Sequence, residues 1–263
     1  CYCAGVASYM LEWYKVGGVR IRITGMTLPM KSGLSSSAAI CVLVARAFNL
    51  LYNLNLNTLG EMNIAYLGEL RTSSRCGRLD QACAFGVKPN LMTFDGDEIE
   101  VTTLNVKKQL YWVFADLCAS KDTIKTLSDL NKAYPFASTE AEENLHKALG
   151  EWNQDIVKRA IQYMAEGDRE SLGRLMTEAE ELFDKYIAPM SPALNAPKLR
   201  QVLHDPNIQP LIFGGKGVGS HGDGSVQFLV RGPEAQQQLI DYLNEQGLCA
   251  YPLTIRPVHT VRK

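Results

Sequence analysis

The chain has 263 residues, 46% of them apolar, with 27 Lys and Arg against 28 Asp and Glu for a net charge of −1. That supplies apolar material for one large or two medium domains. The even charge balance excludes a nucleic-acid footprint, and no apolar run reaches the ~18 residues of a membrane span.

Tyr2, Val6, Tyr9, Met10 and Trp13 fall on one helical face, which predicts a helix over 4–15, ended by Gly17-Gly18. The chain starts without Met, inside this pattern, so the expectation is a fragment with a preceding segment lost. Residues 19–27 alternate like a strand. Then comes Pro29-Met30-Lys31-Ser32-Gly33-Leu34-Ser35-Ser36-Ser37-Ala38-Ala39, followed by an apolar helix from Ala38 to about Tyr52. Asn57 or Thr58 caps a helix over Leu59–Leu70. Strands are expected at Leu91–Phe94, Ile99–Leu104 and Leu110–Leu117, the first two joined by the hairpin signal Asp95-Gly96-Asp97. Thr139-x-x-Glu142 is a capping box. It opens a helix with apolar spacing from Leu145 to Tyr163, broken at Gly167-Asp168. A second stripe runs from Leu172 to Tyr186, and both stripes read as core. A short helix near 195–204 follows a proline-rich loop. The chain then reads strand (Leu211–Phe213), Gly-rich loop, strand (Ser225–Val230), helix (Pro233–Gln246) and strand (Cys249–Ile255). The change from strand-rich to helix-rich places a domain boundary near residue 120, giving domains 1–120 and 121–263. Periodicity alone gives an α+β chain in two layers.

Seven cysteines, an odd number without a C-x-x-C pair, fit a reduced, cytoplasmic compartment. Cys41 and Cys118 sit in apolar runs and read as small core residues.

The serine stretch is a loop that opens a helix. Three serines after Gly33 concentrate backbone N–H groups and hydroxyls at the positive end of the helix dipole. The physical reading is a cradle for an anion, most simply phosphate. It is not a Walker A loop, since no Gly-Lys-Ser/Thr closes it. The plain alternative is a serine N-cap, but one serine suffices for that.

Pro-x-x-x-Gly-Leu-Ser-Ser-Ser-Ala resembles the phosphate-binding signature of the GHMP kinases, and its Ser-Ser-Ser form is most similar to the galactokinase side. The resemblance implies a first domain like ribosomal protein S5 domain 2, here truncated, and a ferredoxin-like C-terminal domain. It implies ATP as co-substrate, held by Lys31, Ser32, Gly33, Leu34, Ser35, Ser36, Ser37 and Ala38. Cys76-Gly77-Arg78-Leu79-Asp80-Gln81 is similar to a galactokinase stretch whose Asp accepts the proton of the sugar hydroxyl, which makes Asp80 the catalytic base. Phosphoryl transfer needs little more than positioning, charge stabilisation and one such carboxylate. In mevalonate kinase-like sequences a Glu at similar spacing joins a motif serine on Mg²⁺; here these are Glu69 and Ser37. Gly214-Gly215-Lys216-Gly217-Val218-Gly219-Ser220-His221-Gly222-Asp223-Gly224 resembles the third, Gly-rich motif of the family, with Gly217 and Gly219 toward the nucleotide. The usual form is nearer Gly-x-Gly-x-Gly-Gly, and Ser220-His221 and Asp223 interrupt it. His221 and Asp223 read as polar loop residues, and His146, His204 and His259 as structural. Of Arg71, Arg75 and Arg78, one could offset phosphate charge while at least two are solvated.

The resemblance thus implies an ATP- and Mg²⁺-dependent kinase acting on a hydroxyl of a sugar or sugar acid, with no nucleic-acid or membrane partner. The galactokinase Tyr-x-x-Arg-Arg-type stretch is unmatched, with Ala119-Ser120-Lys121-Asp122-Thr123 in its place, so galactose itself is not implied. A mevalonate- or homoserine-type kinase and a non-catalytic sugar sensor on the same fold stay open. Asp80 speaks against the sensor, which has no need of a base. The groups that hold the sugar are expected upstream of residue 1. Residues 1–263 alone are therefore expected to be poorly soluble and to phosphorylate no sugar.

Overall fold

The computed structural model describes residues 1–26, 34–74, 76–119, 123–219 and 221–257, with the backbone only at 123 and 124. It divides into two compact units, Cys1–Thr103 and Leu104–Lys263. The division falls ahead of the boundary expected near residue 120. The reason is that the strand Leu110–Asp116 pairs with Ser225–Val230 and Cys249–Ile255, which lie late in the chain.

In the first unit, α1 (Tyr2–Trp13), α2 (Ser36–Tyr52) and α3 (Thr58–Glu69) pack around Val6, Met10, Cys41, Ala45, Phe48 and Met62. Asn57 caps α3, its side-chain oxygen accepting from the Gly60 N–H at 2.8 Å. The hairpin of β1 (Asn90–Asp95) and β2 (Glu98–Thr103) turns at Gly96, whose φ of 56° suits glycine. The expected strand at 19–27 is absent over its described part: residues 19–26 form no ladder. A strand exists through its partner's hydrogen bonds, and no described strand lies alongside. Ile21, Ile23 and Met26 are accordingly exposed.

Helices α1 and α3 approach through two glycines. A Cβ on Gly68 would sit 2.5 Å from the Val6 Cα, and one on Gly5 would sit 2.3 Å from the Gly68 carbonyl oxygen. Both obstacles are backbone, so no side-chain rotation relieves them. Gly68→Ala is expected to destabilise the unit by about 1–3 kcal/mol through overpacking, although alanine is the better helix former by ~1 kcal/mol. The urea midpoint measures this, and an unchanged midpoint would show that α1 can withdraw at no cost.

In the second unit, β3 (Leu110–Asp116), β4 (Ile212–Gly217), β5 (Ser225–Val230) and β6 (Cys249–Ile255) form an antiparallel sheet in the order β4-β5-β3-β6. Among the described residues of this unit the α-helices are α4 (Thr123–Leu130), α5 (Glu140–Leu149), α6 (Glu151–Glu166), α7 (Arg169–Tyr186), α8 (Pro197–Leu203) and α9 (Pro233–Glu245). Alternate residues of the central strands enter different cores. Val113, Ala115, Val226 and Phe228 pack with Leu239 and Leu243 of α9, whereas Leu110 and Leu229 pack with Leu172 and Met176 of α7. The sheet is thus covered by helices on both faces.

Thr139 accepts from the Glu142 N–H as the capping-box reading requires, while Glu142 reaches back to the Ser138 N–H at 2.6 Å. The single helix expected from that cap to Gly167 is two, because Gly150, with φ −107° and ψ −103°, leaves the helical region. Asp168 then caps α7 through the Ser171 N–H. Cys41 is buried, as its apolar setting suggests, but Cys118 is exposed, because it lies just past the end of β3 rather than within it. No helix among the described residues is long and apolar enough to cross a membrane.

Candidate active site

The serine stretch enters the described residues at Leu34; Lys31, Ser32 and Gly33 lie outside them. Helix α2 opens at Ser36, two residues earlier than the apolar pattern predicts. Ser35 is its N-cap, held in the left-handed region at φ 56° and ψ 34°, and its side chain makes no capping hydrogen bond. A non-glycine residue there costs roughly 1–3 kcal/mol. Ser35 therefore bears a strained backbone without using its hydroxyl as a cap. The opening turn of α2 keeps its N–H groups directed at whatever lies beyond the helix end, which weakens the plain-capping alternative. Ala38 is fully buried and anchors the turn.

Asp80 is exposed at the start of a short 3-10 turn, Asp80–Phe85, and its neighbour Gln81 is fully buried. The Gln81 amide N–H donates to the Glu69 carboxylate at 2.9 Å, and the Ser74 hydroxyl donates to the other carboxylate oxygen at 3.0 Å. Glu69 is fully buried rather than a solvated helix residue. So the last residue of α3 holds the turn that presents Asp80. Arg46 holds it from α2, donating to the Ala84 carbonyl at 3.0 Å and to the buried Glu61 at 2.8 Å. Neither Arg46 nor the role of Gln81 was expected from the sequence. The adjacency of Gln81 to Asp80 in the motif was the available signal for the second; Arg46 offered none.

Glu69 also faces α2. Burial, and after it the charge of Glu69, push the Cys41 thiol up to about 12, with Cys76, Cys3 and Cys83 adding to the effect. Cys41 lies four residues after Ser37, one turn along the same helix face. Ser37 is half-buried and is not among the groups that hydrogen-bond Glu69. The side-chain amide oxygen of Gln81 is buried with no hydrogen-bond partner among the described residues. A buried acceptor beside a carboxylate suits a cation or the water bound to one. Glu69 accepts from Gln81 and Ser74, and the Cys76 thiol also hydrogen-bonds it. The oxygen donors here fit Mg²⁺. No group of three His, Cys, Asp or Glu among the described residues could hold a metal alone.

Two of the arginines near Asp80 are engaged locally rather than solvated. Arg71 pairs with Glu12 at 2.7 Å and lies over the Tyr9 ring, while Arg78 lies over the Tyr66 ring and donates to the Asp97 carbonyl at 2.8 Å. Arg75 falls outside the described residues.

In the second unit, much of the Gly-rich stretch is strand. Gly214, Gly215 and Gly217 belong to β4, and each is buried against a neighbour. A Cβ on Gly214 would lie 1.9 Å from the Gly173 carbonyl oxygen of α7, and one on Gly215 would lie 2.4 Å from the Phe228 ring. Close packing against α7 accounts for Gly214, against the Phe228 ring for Gly215, and against the His221 ring for Gly217. Gly217, expected toward the nucleotide, is buried, and its N–H donates to Glu180 of α7 at 2.8 Å. Gly219 is exposed at the turn, with φ 61°. His221 is buried, stacked on Phe183 at 3.5 Å between ring centroids, with its Nδ1 3.3 Å from the Glu180 carboxylate. Asp223 accepts from the Leu199 N–H at 2.8 Å in the first turn of α8. These interruptions of the glycine pattern therefore brace the loop from within. Glu180 lies four residues after Met176, on the buried edge of the α7 stripe, the one trace of it in the sequence.

Residues 2–87 match the model of the GHMP kinases N terminal domain. A galactokinase of Thermotoga petrophila is 32% identical over 213 residues, covering 70% of this chain and 59% of that relative. Residues 2–87 thus carry the N-terminal domain of the GHMP kinases. A galactokinase of Pyrococcus furiosus is 39% identical over 102 residues, 38% of this chain and 29% of the relative. Among solved structures, Lactococcus lactis galactokinase complexed with galactose aligns with a TM-score of 0.70 at 15% identity, covering 97% of this chain and 74% of that one. The mevalonate kinase of L. major with R-mevalonate aligns with a TM-score of 0.71 at 18% identity, covering 98% and 77%. At these identities the structures show the GHMP kinase fold, an α+β architecture. The chain spans about three fifths of the length of the curated galactokinases it matches first, 59% of each.

Proposed function

We infer that this chain is part of an ATP-dependent kinase that transfers the γ-phosphate to a hydroxyl of a sugar or sugar acid. The observation that carries the reading is the exposed Asp80 on a turn fixed from beneath by the buried Gln81–Glu69 hydrogen bond. A carboxylate so placed stays open to substrate while hydrogen bonds hold the turn that bears it. The galactokinase relatives supply the substrate class.

In this reading the opening turn of α2, with Ser35, Ser36 and Ser37, binds phosphate oxygens through N–H groups and hydroxyls, joined by Lys31, Ser32, Gly33 and Leu34. Asp80 takes the proton of the attacking hydroxyl. Gly219, at the exposed turn of the Gly-rich loop, allows close backbone approach to the nucleotide. Glu69 and Ser37 hold Mg²⁺, which when bound neutralises charge on the phosphates. Leaving charge, not covalent chemistry, is what the site has to manage.

The test is ATP consumption by the protein carrying this chain across a panel of sugars, sugar acids, mevalonate and homoserine. Sugar-dependent turnover is expected. Turnover with mevalonate or homoserine alone would overturn the substrate class, and ATP or sugar binding without turnover on any acceptor would leave a sensor. For the metal, Glu69→Gln is expected to raise the Mg²⁺ concentration for half-maximal rate by about 10–100-fold, the scale seen when a supporting metal contact is lost. Sugar affinity should hold. An unchanged Mg²⁺ titration in a variant with normal thermal unfolding would remove Glu69 from the metal site.

A further inference from the structure

Outside the candidate active site, the exposed surface of the second unit carries two cysteines whose sulfurs touch. Cys249 is the first residue of β6 and lies opposite Asp116 in the β3–β6 ladder. Cys118 lies two residues beyond Asp116, so a straight continuation of β3 would carry it past the start of β6. The chain instead turns back. Cys118 adopts the left-handed conformation, φ 52°, and its N–H donates to the Asp116 side chain at 2.8 Å. This local turn swings the Cys118 sulfur to 3.9 Å from that of Cys249. Both residues are exposed and both are free thiols.

We propose that Cys118 and Cys249 form a thiol pair that low-molecular-weight disulfides oxidise reversibly to an intramolecular disulfide. Closing the bond requires the two sulfurs to move from contact to bonding distance at an exposed strand end. The reaction is two exchanges. One cysteine thiolate attacks a sulfur of the small disulfide, breaking its S–S bond and forming a mixed disulfide as the first small thiolate leaves. The second cysteine thiolate then attacks the protein sulfur of that mixed bond, closing Cys118–Cys249 and expelling the second small thiolate. The two protons lost by the protein thiols are taken up by the two departing thiolates. The protein loses two electrons, and the small disulfide is reduced to two thiols. Thiol attack in the opposite direction restores the dithiol.

The site sits beside the Gly-rich loop. Leu117, between β3 and Cys118, donates its N–H to the Gly224 carbonyl at 3.0 Å, and its own carbonyl accepts from Lys198 of α8. Oxidation would therefore staple the point where β3, the end of that loop and α8 meet. Cys41, by contrast, is buried in the first unit and closed to such reagents.

The experiment equilibrates the folded chain in glutathione buffers of graded oxidised-to-reduced ratio, quenches with an alkylating reagent and maps peptides. Expected is a peptide joining the Cys118 and Cys249 segments, with alkylation of both falling together by about tenfold or more across the titration, and with full recovery in excess reduced glutathione. Cys118→Ser and Cys249→Ser should each abolish the joined peptide and leave the remaining thiol as a mixed disulfide with glutathione. Full alkylation of both thiols in the most oxidising buffer, with the urea-unfolded chain forming disulfides in the same buffer, would overturn the proposal. Joining of either residue to a different cysteine would overturn it as well. The wild-type measurement stands alone should a serine variant fail to fold.

Discussion

Replacing Asp80 by Asn is expected to lower kcat by about 10²–10⁴, the usual scale for loss of a general base, with little change in ATP affinity. Asn keeps the size of the side chain and cannot accept the proton. The architecture makes this a clean substitution. Asp80 is exposed, whereas the hydrogen bonds that position its turn belong to Gln81, Glu69, Ser74 and Arg46. Removing the charge therefore leaves the frame intact, and the thermal midpoint should not move. Steady-state kinetics in sugar and ATP, together with nucleotide binding by calorimetry, separate the outcomes. A normal kcat would show that Asp80 is not the base and that positioning alone carries the transfer. A weakened ATP affinity at normal kcat would place Asp80 on the nucleotide instead. The companion change Gln81→Leu tests the frame: it frees Glu69 of a donor, and leaving a buried charged group short of a partner costs about 1–3 kcal/mol or more.

Much of this arrangement is legible in the sequence, for identifiable reasons. Helices α2, α3, α7 and α9 follow apolar periods, and α3 and α7 carry the local caps Asn57 and Asp168. The hairpin at Gly96 and the strands Ser225–Val230 and Cys249–Ile255 carry equally local signals. Each of these is decided by residues close in the chain. What was not legible depends on residues far apart. Residues 19–26 alternate like a strand, but alternation says nothing about whether a partner lies alongside. The Leu145–Tyr163 stripe keeps its period across Gly150, so the break shows only in the backbone angles. The glycines of β4 looked like a nucleotide-facing loop; three of them answer to α7, Phe228 and His221 instead. His221 and Asp223 looked like loop decoration, because their partners Glu180 and Leu199 lie 41 and 24 residues before them. The anion-cradle reading of the serine stretch rests on residues adjacent in sequence, and Ser35 adds a strained cap that no pattern announces.

The Glu180 carboxylate ties the buried His221 ring to the end of β4 in the second unit. Its removal is expected to cost about 3–5 kcal/mol, the range for losing one member of a buried pair. Glu180 and His221 are both nearly buried, with side chains 8% and 6% exposed, and one carboxylate oxygen meets both the His221 ring and the Gly217 N–H. Glu180→Ala deprives the ring and the N–H of that acceptor and opens a void under the loop. Glu180→Gln retains an acceptor for Gly217 and loses only the charge, so it should cost less. The two variants differ in pH dependence in a way a purely steric role would not produce. Burial pulls the Glu180 pKa up, but His221, the Gly217 N–H and the Lys216 charge together bring it below the ordinary carboxylate value. A carboxyl with a depressed folded pKa contributes stability that is fully present above its unfolded value, near pH ~4.3. That contribution is lost as pH falls through the lower folded value. The part of the unfolding free-energy difference between wild type and Glu180→Gln that comes from the carboxylate charge should therefore shrink as pH falls below about pH 4. Urea titrations at stepped pH measure it. A difference that stays constant through the acid range would show that Glu180 acts by shape and hydrogen bonding alone. A difference that grows toward acid would reverse the sign of its shift and remove the charge of His221 from the bracing of the Gly-rich loop.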